Sequence, residues 1–108
     1  MTPSPPGGLS LTAEEWRVVH GILADLVPDV TVTAFGSRVT GRAKPWSDLD
    51  LALTADAPLT LARLAALREA FSESSLPWKV DLVDTLAVSP EFQARIAKEQ
   101  VLLQPGSA

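Results

Sequence analysis

The chain has 108 residues, 46% of them apolar and 20% charged, which suits one small domain. Its formal net charge of −4 argues against general nucleic-acid binding, which usually relies on a basic surface. The absence of cysteine excludes disulfides, thiolate zinc sites and cysteine nucleophiles, and the single histidine, His20, excludes multi-histidine metal sites. No apolar run approaches the ~20 residues that span a bilayer, and no secretory signal is evident, so we expect a cytoplasmic protein.

Both ends of the chain have the composition of flexible tails. Residues 1–10 are rich in Pro, Gly and Ser, and residues 104–108 have a similar composition. We therefore expect one folded domain over residues 11–103, with a tail on each side.

The first predicted helix has a clear start and a clear stop. Thr12 followed by Glu15 is the pattern of a capping box, and apolar residues then recur at helical spacing from Trp16 to Val27. Pro28 ends the helix because proline cannot continue it.

The remaining elements follow from alternation and capping signals. They are predicted strands at Val30–Phe35, Asp48–Leu53 and Lys79–Val83, and predicted helices at Thr60–Phe71 and from Ser89 to about Glu99. The order α-β-β-α-β-α predicts an α+β domain in which a small mixed sheet is covered by helices on one face. On the second and third strands the other face carries carboxylates.

Three aspartates are the strongest chemical signal. Asp48 and Asp50 stand two residues apart on one strand and therefore project from the same face, and Asp81 on the next strand can join them. Carboxylates held this close repel one another unless a cation lies between them. Mg²⁺ prefers such oxygen ligands, so the three acids predict a two-metal site for phosphoryl or nucleotidyl transfer.

A glycine turn precedes these acids. Gly36 and Ser37 follow the first strand, and a short helical turn from Ser37 would direct amides and a hydroxyl at an anion. Arg38, Arg42 and Lys44 add positive charge, and of these we assign phosphate contact to Arg38 and leave the other two open, because charged loops are usually only solvated. Together the turn and the acids suit a metal-bound nucleoside triphosphate.

The combined motif has Gly36-Ser37, a second glycine at Gly41 and then Ser47-Asp48-Leu49-Asp50. It resembles the signature of the nucleotidyltransferase superfamily related to DNA polymerase β, and most closely the minimal nucleotidyltransferases, or MNT proteins. The resemblance implies that Gly36 and Ser37 bind the nucleotide, ATP, and that the aspartates of the second motif, Asp48 and Asp50, hold two Mg²⁺ ions. We add Arg38 and Ser47 to the predicted nucleotide-binding residues.

The same resemblance implies that Asp81 completes one metal site and helps to deprotonate the attacking hydroxyl. Many MNT proteins are antitoxins paired with a HEPN-domain toxin, and several transfer AMP from ATP to a tyrosine of that toxin. One departure is Thr40, where relatives often carry a second arginine that Arg42 would have to replace.

Several alternatives stay open. Asp81 is also compatible with a plain solvated strand face, and Asp84 falls on the opposite face, where a capping function is favoured. Trp46 in the loop before Asp48 is equally compatible with base stacking, partner contact or loop packing, whereas Trp16 and Trp78 are expected in the core. Three functions remain: an adenylyltransferase that modifies a partner toxin, an antitoxin that acts by binding alone with a vestigial site, and a small-molecule nucleotidyltransferase.

Overall fold

The computed structural model describes residues 4–106 and contains four helices, one 3₁₀ turn and four strands within that range. In chain order they are α1 (Ala13–Leu26), β1 (Thr31–Phe35), α2 (Ser37–Thr40), β2 (Leu49–Thr54), α3 (Leu61–Ser72), β3 (Val80–Asp84), the 3₁₀ turn (Thr85–Ala87), α4 (Pro90–Glu99) and β4 (Val101–Gln104). No helix within this range is long and apolar enough to cross a membrane.

Side-chain caps fix where the long helices begin. The Thr12 hydroxyl accepts from the Glu15 amide at 3.0 Å and the Glu15 carboxylate accepts from the Thr12 amide at 2.9 Å, so the predicted capping box is confirmed. Thr60 and Ser89 cap α3 and α4 in the same way, each accepting an amide three residues ahead at 3.2 Å.

The strands form one mixed sheet in the order β3-β2-β1-β4. β1 pairs antiparallel with β2 and with β4, and β2 pairs parallel with β3 through the α3 crossover. The predicted α+β class with a small mixed sheet is therefore confirmed, and β4 is an additional strand that the sequence reasoning did not identify.

The main core lies on the face of the sheet that α1 and α3 cover. Leu49, Leu51 and Leu53 are fully buried there, together with Val32 and Ala34 of β1. Trp16 and Trp78 belong to this core, as predicted, with 3% and 8% of their surfaces exposed.

α4 lies on the opposite face of the sheet, beside the acids. Ile96 is buried against Phe35 and Ala52, and Phe92 meets the Phe35 ring edge-on at 5.9 Å between centroids. The prediction of helices on one face therefore holds for α1 and α3 but is wrong for α4, because the second face also has apolar positions that need cover. Val83 completes this smaller cluster.

Residues at the inner ends of both predicted tails contact the folded domain. Leu9 is buried in the main core, and the Ser10 amide donates to the Arg38 carbonyl at 2.8 Å. At the other end Gln104 belongs to β4, and its side-chain amide donates to the carbonyls of Val27 and Val30 at 2.7 and 2.9 Å. These contacts hold both segments to the domain, and residues 1–3 and 107–108 lie outside the described residues.

Candidate active site

The glycine turn packs directly against one of the predicted catalytic acids. Gly36 links β1 to α2 with φ +81° and ψ −157°, a conformation that residues with a side chain rarely adopt. A Cβ at this position would collide with Oδ2 of Asp50 and lie 3.2 Å from its Cγ. Only glycine therefore allows the turn and the carboxylate to approach this closely.

Strand register places two acids side by side. Asp50 on β2 pairs with Asp81 on the parallel strand β3, and Phe35 pairs with Asp50 from the other side, so all three share one face of the sheet. Asp50 and Asp81 line a pocket of about 400 Å³ together with Gly36 and Arg95. The structure thus brings together three of the predicted site residues: Gly36, Asp50 and Asp81.

Asp48 is the third predicted acid, and it lies one residue before β2 rather than within it. Its carboxylate is half-buried and close enough to act electrostatically on both Asp50 and Arg38. It is therefore at the edge of the site rather than in the wall of the pocket.

Asp50 is the perturbed acid of the site. Burial, together with the negative charges of Asp81, Asp48 and Glu99, raises the pKa of its carboxyl group to about 6, while the positive charge of Arg95 opposes this shift. A cation bound beside these acids would favour the ionised form of Asp50 and lower its pKa again.

The donor set suits a magnesium ion without forming a ready-made cage. Carboxylate oxygens of Asp50 and Asp81 face one pocket, and they are the ligands that Mg²⁺ prefers. Across residues 4–106, however, no three His, Cys, Asp or Glu side chains are grouped closely enough to hold a metal ion. The three predicted metal ligands Asp48, Asp50 and Asp81 therefore form a neighbouring set rather than a preformed cluster, and water or phosphate oxygens would complete any coordination sphere.

The guanidinium of Arg38, which we expected to contact phosphate, is bound to backbone carbonyls of the protein itself. Its side chain is buried, with 5% exposed, and its three guanidinium nitrogens donate to the carbonyls of Ser47, Ser10 and Pro45 at 3.0, 2.9 and 3.3 Å. The guanidinium also lies over the Trp78 ring, 4.3 Å from its centroid. Arg38 thus joins the loop before Asp48 to the N-terminal segment, and it does not line the acid pocket.

The loop between the two motifs is held by local hydrogen bonds. The Ser47 hydroxyl accepts from the Lys44 amide at 2.8 Å, so this predicted nucleotide-binding residue also closes a turn. Ser37 begins α2 beside Gly36 and is half-buried, and Gly41 ends α2 in the left-handed conformation. Trp46 projects from the loop with 70% of its surface exposed.

Asp84 belongs to the scaffold, as its position on the opposite face predicted. One carboxylate oxygen accepts from the Leu86 amide at 2.9 Å and caps the 3₁₀ turn, and the other accepts from the Leu59 amide at 2.8 Å. It ties the end of β3 to the loop before α3.

Sequence reasoning missed the contribution of α4 to the site. Arg95 lines the acid pocket, and Glu99 accepts a hydrogen bond from the Gly36 amide at 2.9 Å. Phe92, Arg95, Ile96 and Glu99 recur at three- and four-residue spacing, which places them on one face of a helix. That spacing was the available signal, but only the packed structure shows that this face lies over the acids.

Fold and site define the class of protein. Residues 26–105 match the family model described as "Polymerase beta, Nucleotidyltransferase", and the chain belongs to this family of nucleotidyltransferases. It is also 51% identical over 96 residues to the probable protein adenylyltransferase MntA of Haemophilus influenzae, covering 89% of this chain and 84% of that protein.

Solved structures share the fold. A chain of a toxin–antitoxin complex crystallised with AMP-PNP superposes with a TM-score of 0.71 at 26% identity, over 85% of this chain and 73% of that chain. A chain from the complex of a tri-AMPylated Shewanella oneidensis HEPN toxin with an MNT antitoxin gives a TM-score of 0.62 at 24% identity, over 85% of this chain and 70% of that chain.

Proposed function

We propose that this chain is the antitoxin of a HEPN/MNT pair and transfers AMP from ATP to a hydroxyl, expected to be a tyrosine, of its HEPN-domain partner. The observation that carries the proposal is the contact between the Gly36 turn and Asp50, beside Asp81, because a glycine turn of the kind expected to bind phosphate lies against paired acids. The likeness to MntA and to a toxin–antitoxin chain solved with AMP-PNP supports the same activity.

The three aspartates have different functions in this proposal because their surroundings differ. Asp48, Asp50 and Asp81 would hold Mg²⁺, which supplies charge neutralisation for the triphosphate and lowers the pKa of the attacking hydroxyl. Asp50 is half-buried against Gly36, which suits a fixed ligand, whereas Asp81 is exposed at the same pocket. Asp81 is therefore the carboxylate that an incoming hydroxyl can reach, and it accepts the proton as the oxygen attacks the α-phosphorus and pyrophosphate leaves.

A macromolecular acceptor suits the open form of the site. Within residues 4–106 the acid pocket is lined by the sheet, the Gly36 turn and α4, and Asp81 is exposed at its edge. An acceptor side chain carried by another protein can approach from that side, and the partner would supply the contacts that orient it.

The test is transfer in a purified system, read by intact-mass spectrometry of both proteins after incubation with ATP and Mg²⁺. The HEPN-domain partner should gain the mass of one or more AMP groups with the wild-type chain and none with Asp48→Ala or Asp50→Ala. Glu69→Ala is the matched control, because Glu69 is an exposed acid on α3, away from the pocket. The absence of any adduct with the wild-type chain would refute the proposal.

One observation favours a second candidate, an antitoxin that acts by binding alone. No group of three potential metal ligands is preformed among the described residues, as a vestigial site would also show. Neutralisation of the toxin by Asp50→Ala to the wild-type extent would favour this second function, whereas loss of neutralisation with retained complex formation would favour catalysis.

A further inference from the structure

A single hydrogen bond connects the glycine turn to the last helix. The Gly36 amide donates to Oε1 of Glu99 at 2.9 Å, across 63 residues of sequence and in a part-buried setting. Gly36 therefore lies between two carboxylates, with Asp50 packed against its Cα and Glu99 bound to its N–H. The amide that an anion at this turn would be expected to meet is already engaged.

A carboxylate at position 99 is unfavourable on general grounds. Glu99 is the last residue of α4, where the helix dipole favours a positive charge. Its negative charge also acts on Asp50, which Asp81 and Asp48 already crowd. The compensating contact is the Gly36 N–H, and a residue that breaks local electrostatic rules for one contact points to a task at that contact.

The helix that carries Glu99 is firmly seated. One turn earlier, Ile96 is 3% exposed in the cluster with Phe35 and Ala52, and Phe35 is the residue that precedes Gly36. Packing and the hydrogen bond therefore join α4 to the end of β1 and to the glycine that follows it. This arrangement fixes the turn relative to β2, which carries Asp50.

We propose that Glu99 is a positioning residue that holds the Gly36 turn against Asp50 by accepting a hydrogen bond from the Gly36 amide. Gly36 then contributes to the site by lacking a side chain, which allows Asp50 to approach, while the nucleotide contacts the turn from Ser37 onward. The kinetic part of this inference rests on the proposed adenylyltransferase function, but the hydrogen bond itself can be tested without any nucleotide.

The first test reads the Gly36 amide directly by NMR hydrogen exchange on the full chain. Glu99→Ala removes the acceptor, so the Gly36 amide should exchange about tenfold faster than in the wild type. Glu99→Gln keeps a carbonyl oxygen at the same place and should restore most of the protection. Glu69→Ala, which also removes one negative charge, should leave exchange at Gly36 unchanged.

The second test measures ATP dependence with the same variants. Glu99→Ala should raise the KM for ATP about tenfold, because a displaced turn no longer meets the triphosphate and Asp50 together. Glu99→Gln should recover most of that loss, since the acceptor matters and the charge does not.

Three results would overturn the inference. If Glu99→Ala kept the wild-type exchange rate at the Gly36 amide and the wild-type KM for ATP, the hydrogen bond would have no positioning function. Equal damage in Glu99→Gln would assign the effect to charge, and tighter ATP binding by Glu99→Ala would make Glu99 a competitor for the amide. Failure of the proposed function is distinguishable, because it appears as no transfer by the wild-type chain whatever the Gly36 amide does.

Discussion

Gly36 sets the distance between the backbone turn and the carboxylate of Asp50, and it does so through the side chain it lacks. Gly36→Ala should lower the free energy of unfolding by about 1–3 kcal/mol, because φ of +81° disfavours a Cβ and the new methyl group meets Asp50 Oδ2. It should also abolish AMP transfer.

Urea unfolding and the transfer assay check both effects. Gly21→Ala is the control, since a Cβ at this exposed helical position meets nothing within 4 Å; equal effects of the two changes would contradict the account.

Asp50 makes stability depend on pH with a defined sign. Its pKa of about 6 in the folded state lies above the usual range, so the folded protein retains this proton after the unfolded chain has lost it. Without added metal, the contribution of Asp50 to stability is complete below about pH 4, falls as the pH rises to about 6, and is then lost. Asp50→Asn should therefore be more stable than wild type by about 1 kcal/mol at pH 7.5, after allowance for partial exposure, and nearly equal to it at pH 4.

Urea unfolding at pH 4, 5.5 and 7.5 measures this difference for Asp50→Asn, with Glu69→Gln as the control for the loss of an exposed acid outside the site. A gap between Asp50→Asn and wild type that does not grow with pH would show that Asp50 is not strained in its ionised form.

Substitution of Arg38 should reduce the stability of the fold rather than only the affinity for nucleotide. The single ammonium nitrogen of lysine cannot replace three separate guanidinium nitrogens that donate to three carbonyls, or their flat contact with Trp78, so Arg38→Lys should lower the free energy of unfolding by about 2 kcal/mol. Arg42→Lys is the control, because Arg42 is exposed in the loop that follows α2. Unchanged stability in Arg38→Lys, with only ATP affinity reduced, would restore the phosphate contact that the sequence favoured.

The chemical type of these residues could be predicted from the sequence, but the residues that they contact could not. The spacing of Asp48, Asp50 and Asp81 predicts a shared face, and the register confirms it for Asp50 and Asp81. The environment of Arg38 was not predictable, because its partners Ser10 and Trp78 lie 28 and 40 residues away and only the packed chain brings them together.

At the scale of elements, α4 illustrates what local signals determine and what they leave open. Ser89 and Pro90 predicted where the helix begins, and both hold in the structure. The face of the sheet that α4 covers depends instead on Phe35, Ala52 and Val83, apolar positions on three strands whose register is not local information. β4 was missed for a similar reason, since Val101–Gln104 is short and pairs only with the free edge of β1.

The packing of α4 should be measurable by truncation of its buried contact. Ile96→Ala should lower the free energy of unfolding by about 2–3 kcal/mol, because it leaves a cavity over Phe35 and Ala52. Leu102→Ala on β4 should cost less than about 0.5 kcal/mol, because Leu102 is 52% exposed. Denaturant unfolding compares them, and similar losses would mean that α4 is not anchored by Ile96.

At the scale of the whole molecule, the site exists only when all its elements are assembled. Gly36 follows β1, Asp50 and Asp81 come from β2 and β3, and Glu99 reaches in from α4. One domain of this size therefore suffices to bring a glycine turn, paired acids and a positioning carboxylate to one pocket.

The most direct test of this account is calorimetric titration of the wild-type chain with AMP-PNP, with and without Mg²⁺, repeated with Asp50→Asn. We expect Mg²⁺ to tighten binding at least about tenfold in the wild type, because the acids of the site hold the cation against the triphosphate, and to have little effect in Asp50→Asn. Equal affinity with and without Mg²⁺ in the wild type, or an unchanged Mg²⁺ effect in Asp50→Asn, would contradict the account.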